Sequence, residues 1–120
     1  MTEMRLGVVE SQFADIIWEN EPLSSGALVK LCNERLDWKK STTYTVLKKL
    51  CERGIFQNQD GIVSSLISKQ EFNAVQSEQF VEETFGGSLP AFIAAFASNK
   101  QLTEEEIKEI RKMMDRLEEA

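Results

Sequence analysis

Apolar side chains recur along the chain at two spacings, and the changes between them divide it into elements. Val9, Phe13, Ile16 and Ile17 return every three to four residues, with Asn20 on the same stripe and Trp18 flanking it. That spacing predicts a helix over Val8–Asn20. Glu21-Pro22 ends it, because the residue before a proline avoids the helical region. Ala27, Leu28, Leu31, Cys32 and Leu36 form a second helical stripe, which Ser24 or Ser25 is suited to cap. Asp37-Trp38-Lys39-Lys40 reads as a short connector. Ser41 is the expected cap of a third helix that runs to Arg53 and stops at Gly54.

The spacing then changes. Ile55-Phe56-Gln57-Asn58 and Ile62-Val63-Ser64-Ser65-Leu66-Ile67 are β-prone runs on either side of Gln59-Asp60-Gly61. An Asp-Gly between two such runs predicts a tight hairpin. Helical spacing resumes at Ser68-Lys69-Gln70-Glu71, which has the S-x-x-E pattern of a capping box, and continues through Phe72, Val75 and Phe80 to Phe85. Gly86-Gly87 breaks this fourth helix. Ser88-Leu89-Pro90 starts a short apolar fifth helix to Ala97, with proline in the tolerated first turn. Thr103-Glu104-Glu105-Glu106 repeats the capping-box pattern before a sixth helix with Ile107, Ile110, Met114 and Leu117 on one face. The expected fold is mainly α with a small β-hairpin. Three helices and a hairpin over 1–70 give a winged helix-turn-helix domain, and 71–120 give a C-terminal helical dimerisation arm.

Composition narrows the chemistry. The chain of 120 residues contains no histidine, which removes the commonest general base and the usual nucleophile pairs and metal sites. Cys32 and Cys51 are too far apart in sequence for a C-x-x-C motif and read as two reduced, buried thiols. There is no P-loop, G-x-G-x-x-G or G-x-S-x-G, and runs such as Glu104-Glu105-Glu106 suit a solvated face or a helix first turn. Neither an enzyme nor a metal or other cofactor is expected. No run approaches the ~20 apolar residues of a membrane span. Residues 1–5 lack the apolar region of a signal peptide, so the expected location is cytoplasmic.

The charge is unevenly placed. The formal net charge is −6, yet residues 1–70 hold nine basic and nine acidic groups, so the whole excess lies in 71–120. Trp38–Arg53 carries five basic groups against Glu52 alone. An acidic chain with one concentrated basic segment points to a local anion-binding surface. On the third helix Thr43, Val46, Leu47 and Leu50 share one face, and Ser41, Tyr44, Thr45 and Lys48 share the opposite one. Such a polar face, approached by Lys39 and Lys40, suits a helix whose first turns meet base edges in a major groove. An ordinary amphipathic surface helix has the same pattern. In the arm, Phe80, Phe92, Ile93, Phe96 and the Ile107, Ile110, Met114 and Leu117 stripe exceed what a small domain buries. Pairing with a second copy would cover them, and intramolecular packing against the first helix is the alternative.

Several segments together resemble the BlaI/MecI family of transcriptional repressors, the penicillinase and methicillin-resistance regulators. They are Glu10 to Ile16-Ile17-Trp18, the tryptophan-led Asp37-Trp38-Lys39-Lys40-Ser41-Thr42-Thr43-Tyr44-Thr45-Val46-Leu47-Lys48-Lys49-Leu50, the exit Cys51-Glu52-Arg53-Gly54-Ile55, and Phe85-Gly86-Gly87-Ser88-Leu89-Pro90 through Phe96 to Leu102–Ile107. The likeness covers about Leu6–Leu117. It implies a homodimer that binds an inverted-repeat DNA operator and blocks transcription. It also implies release when a regulatory protease, acting in a membrane-sensor pathway, cuts the dimer arm. Three differences stand out. The wing segment Gln57-Asn58-Gln59-Asp60-Gly61 has one acid and no base. The Asn-Phe bond cleaved in the antibiotic-responsive members corresponds to Ala95-Phe96 here. No cysteine follows Cys51, so the C-x-C cluster of the copper-responsive branch is missing.

The expected function is therefore repression of resistance or stress genes and of the protein's own operon. Lys39, Lys40, Ser41, Thr42, Tyr44, Thr45, Lys48 and Lys49 would contact DNA, the hydroxyl-bearing residues reading bases and Lys48 and Lys49 binding phosphate. Phe80, Phe92, Ile93, Phe96, Ile107, Ile110, Met114 and Leu117 would form the dimer. The rival reading is a winged-helix protein-interaction module with little or no sequence-specific DNA binding, which the wing's lack of basic residues favours.

Overall fold

In a computed structural model of the chain, which describes residues 5–119, helix α1 spans Val8–Asn20 and buries Phe13, Ala14, Ile16 and Ile17. The N-terminal residues Met1–Met4, on which the expected lack of a signal segment partly rests, lie outside the described residues. Val9 is half exposed, because the stripe meets the core only one turn into the helix. Strand β1, Leu23–Ser24, follows, and Ser24 also caps α2, Ser25–Leu36, by accepting the Ala27 amide at 3.0 Å. α2 ends at Asp37, whose left-handed backbone (φ 57°) turns the chain toward α3.

α3 spans Lys40–Glu52 and buries Thr43, Leu47 and Leu50. Its N-cap is Lys39, with no side-chain cap, where the sequence suggested Ser41. The tight exit from Asp37 through Trp38 brings the helix in two residues earlier, and Trp38 stacks on Phe13 with ring centroids 5.4 Å apart. Gly54, at φ 78°, stops the helix, donating its amide to the Cys51 carbonyl while Ile55 donates to that of Leu50.

Strands β2 (Phe56–Gln59) and β3 (Ile62–Ser65) form the hairpin, with Asp60 and Gly61 both at positive φ, as a type I′ turn requires. The hairpin is not alone. β1 pairs antiparallel with β3, Leu23 opposite Val63 and Ser24 opposite Ile62, so the sheet order is β1-β3-β2. A two-residue strand has no alternation to detect, which is why the sequence pattern missed it.

The core is one cluster: Phe13, Ile17, Leu28, Cys32, Leu50, Ile55, Phe56 and Val63 are fully buried within it. α4, Lys69–Phe85, begins by adding Phe72. The Trp18 ring lies between Phe56 (5.3 Å) and Phe72 (5.5 Å), and its indole N–H donates to the Ile67 carbonyl at 3.1 Å. Glu21 takes the Ser65 amide (2.8 Å) and hydroxyl (2.7 Å), holding the end of α1 to β3. This first unit runs to Glu78 and a second begins at Gln79, so the division falls inside α4, whose first turns pack on the core through Phe72; the sequence placed it after residue 70.

The second unit contains the end of α4, α5 (Leu89–Asn99) and α6 (Glu104–Glu119). Ser88 caps α5 by accepting the Ala91 amide. Thr103 and Glu106 form the reciprocal capping box of α6, and the two bonds from Thr103 hold the Glu106 carboxyl below its ordinary pKa. Phe85 and Phe92 meet edge to face at 5.5 Å, with Phe80 at 5.9 Å from Phe92. No residue of α5 or α6 is fully buried within the chain. No helix among the described residues is long and apolar enough to cross a membrane.

Candidate nucleic-acid interface

The geometry of α3 follows from which of its residues the core claims. Thr43, Leu47 and Leu50 face inward, which turns Ser41, Thr42, Thr45, Lys48 and Lys49 to solvent. Thr45 donates its hydroxyl to the Ser41 carbonyl at 2.8 Å, which fixes its rotamer and leaves its oxygen lone pairs outward. Ser41, Thr45 and Lys48 form one continuous stripe at i, i+4 and i+7. Lys39 and Lys40, at the N-terminal end, are exposed as well.

Tyr44 departs from this set. The sequence pattern put it on the outward face, but it is half-buried against the core, and its hydroxyl donates to Ser25 Oγ on α2 at 3.1 Å. A ring of that size beside α2 gains more from packing than from solvent. Its phenol ties the two helices together.

The cations differ in the same way. Lys49 Nζ lies 3.2 Å from Glu10 Oε2 at the start of α1. Glu10's other oxygen accepts the Gly7 amide at 3.1 Å. That backbone bond, with Lys49 second, holds the Glu10 carboxyl below its ordinary pKa despite partial burial. Lys49 is thus a strut from α3 to α1, whereas Lys39, Lys40 and Lys48 form no ion pair among the described residues. Lys69 is likewise occupied, 2.9 Å from Asp15, and the Arg53 guanidinium bonds the Arg5 carbonyl.

Between α3 and β2 lies a cleft of about 220 Å³, lined by Tyr44, Leu47, Lys48, Cys51 and Asn58. Cys51 is half-buried there, and desolvation, with the nearby Glu52 carboxylate second, pushes its thiol pKa up; Cys32 is fully buried. Sequence reasoning passed over Glu10, Ser25 and Asn58. Only Asn58 had a legible signal, as the position two residues from core-facing Phe56 on the same strand.

The second unit keeps much apolar surface exposed. Leu117 is 68% exposed, and Phe80, Ile93, Phe96 and Met114 are each 40–47% exposed, while Phe92, Ile107 and Ile110 are half-buried. Phe92, Ile93, Phe96, Leu102 and Ile110 line an apolar groove of about 220 Å³ with Glu106 at its edge. Ala95 and Phe96 lie within α5, both exposed.

Residues 6–116 match the profile of a family described as penicillinase repressor. The chain is similar to a penicillinase repressor of Bacillus licheniformis, at 23% identity over 88% of this chain and 86% of that one. It is similar to the methicillin resistance regulatory protein MecI of Staphylococcus aureus, at 22% identity over 89% and 90%. A penicillinase repressor of Staphylococcus aureus is 20% identical over 94% of this chain and 93% of its own.

Proposed function

The chain belongs to the penicillinase repressor family, and from that premise we propose that it acts as a homodimer whose two α3 helices enter the major groove at the halves of an inverted-repeat operator. The family is one of transcriptional repressors and not of enzymes. The observation that carries the reading is the outward stripe of Ser41, Thr45 and Lys48 on a helix with free Lys39 and Lys40 at its N-terminal end. Hydroxyls at that end suit base edges, and the unpaired ammonium groups suit phosphates. Thr42 and Tyr44 complete the set, Thr42 beside the base readers and Tyr44 setting the helix angle through Ser25. Lys49, engaged by Glu10, contributes less charge to the DNA than Lys48 does.

The arm supports dimerisation. Two copies of a face carrying Ile93, Phe96, Met114 and Leu117 bury one another, and the linked domains reach both half-sites at high effective concentration. Bound dimer blocks transcription of resistance or stress genes and of its own operon. A protease cut at Ala95-Phe96 would divide α5 and separate the half-sites. The protein would act in the cytoplasm.

Titration of the full chain on the promoter upstream of its own gene tests this. Binding that survives competitor DNA and weakens with salt is the expected result. The wing without a basic residue favours a protein-interaction module instead, and that reading prevails if no promoter fragment binds at any salt concentration.

A further inference from the structure

The hydroxyls of α3 are not equivalent, because some have already spent their protons. Thr43 donates to the Lys39 carbonyl at 3.4 Å and is fully buried. Tyr44 donates to Ser25 Oγ at 3.1 Å and is half-buried. Thr45 donates to the Ser41 carbonyl at 2.8 Å and is exposed. The hydroxyls of Ser41 and Thr42, also exposed, form no hydrogen bond among the described residues.

Thr45 therefore differs from every other exposed polar group of α3. A hydroxyl has one proton to donate and two lone pairs to accept with. The Thr45 proton is engaged inside the helix, so toward solvent the oxygen only accepts. Having donated, it is also the stronger acceptor, since linked hydrogen bonds polarise one another. The exposed ammonium groups of Lys39, Lys40 and Lys48 only donate. The Ser41 and Thr42 hydroxyls do either.

Base edges in the major groove present many acceptors and two kinds of donor. Guanine N7 and O6, adenine N7 and thymine O4 accept. The donors are the exocyclic amines, N6 of adenine and N4 of cytosine. Against a base acceptor, the Thr45 oxygen bonds only if its proton leaves Ser41, which exchanges one hydrogen bond for another. Against an amine, it accepts a second bond and keeps the first.

We propose that Thr45 selects an amine-bearing base, adenine or cytosine, at one fixed position of each half-site and disfavours guanine and thymine there. The proposal rests on the reading of α3 as a major-groove helix and adds to it the polarity of one contact. The bond to Ser41 holds the Thr45 rotamer before DNA arrives, so little side-chain freedom is lost on binding.

The test uses the full-length protein and a duplex that it selects from random sequence. Each adenine of the half-site is replaced in turn by purine, which lacks the N6 amine, and each cytosine by pyrimidinone, which lacks the N4 amine. Both half-sites are changed together. Every duplex is titrated with the native chain and with Thr45→Val, which keeps the side-chain shape at an exposed position and has no acceptor. Comparing the two proteins cancels the effect of each analogue on base pairing. At one position, loss of the amine should weaken the native chain ~3–10-fold per half-site more than it weakens Thr45→Val, on the scale of one hydrogen bond. A purine position identifies adenine and a pyrimidinone position cytosine. Thr45→Ser, which keeps the oxygen, should retain the difference. The log–log salt slope should be the same for all three proteins, because a neutral contact displaces no counterion. Equal losses for the native chain and Thr45→Val at every amine overturn the proposal and leave DNA binding by α3 standing. So does a difference that appears instead when guanine is replaced by an analogue without O6. Failure to select any duplex overturns both readings.

Discussion

Leu117→Ala isolates what the arm does. Leu117 lies in the last turns of α6, is 68% exposed in the single chain and belongs to the stripe proposed to pair with a second copy. Alanine is the better helix former, so α6 itself should not suffer. The substitution removes three carbons, worth roughly 2.4 kcal/mol at ~0.8 kcal/mol per buried carbon. The interface can bury only what the single chain leaves exposed. Scaling by that fraction gives about 1.5 kcal/mol per protomer, and a two-fold interface loses it twice. The dimer dissociation constant should therefore rise ~100-fold, since each 1.4 kcal/mol is a factor of ten. Sedimentation equilibrium of the variant beside the native chain measures this directly. Operator titration at concentrations between the two dissociation constants should show a matching loss of affinity with an untouched α3. Leu66→Ser, at another exposed leucine outside the arm, serves as control and should leave the association constant as it is. A Leu117→Ala protein that dimerises within two- to threefold of the native chain would refute the assignment of the α6 stripe to the interface.

Tyr44→Phe should cost ~0.5–1.5 kcal/mol in urea unfolding and weaken operator binding without changing base preference, because the lost bond sets the helix position; a changed preference in a binding-site selection would make Tyr44 a base reader instead. Lys40→Ala should flatten the log–log salt dependence of DNA binding by about one unit and Lys49→Ala by clearly less, since Glu10 already neutralises Lys49; equal slopes for the two variants would contradict the strut. Glu10 has a depressed folded-state pKa, so its contribution to stability is present above the unfolded carboxyl range and is lost as pH falls through the folded value. Acid unfolding of Glu10→Gln should therefore lack part of the decline below about pH 4.5 that the native chain shows; superimposable acid limbs would remove Glu10 from that linkage.

Much of the fold was legible because local chemistry decides it. The 3.6-residue stripe and Glu21-Pro22 bound α1 at Val8–Asn20, and Asp60-Gly61 specified a turn that needs positive φ at both positions. Thr103 with Glu106 marked the start of α6, since a capping box is written within four residues. The missing histidine and the +4 segment over Trp38–Arg53 likewise point away from catalysis and toward an anion-binding surface by composition alone.

The roles of individual side chains were decided elsewhere in the chain. Tyr44 and Ser25 are 19 positions apart, and Lys49 and Glu10 still farther, so no periodicity on α3 could show that one hydroxyl and one cation of its polar set were already engaged. β1 exists because β3 offers it a register, as two residues have no strand propensity of their own to display. Asn58 gained a cleft to face only when β2 came to stand beside α3. Periodicity assigns a residue to a face of its own element. Which neighbour covers that face, and which polar groups remain unpaired on it, follows from packing between distant segments, and in this protein that packing separates the free Lys48 from the occupied Lys49.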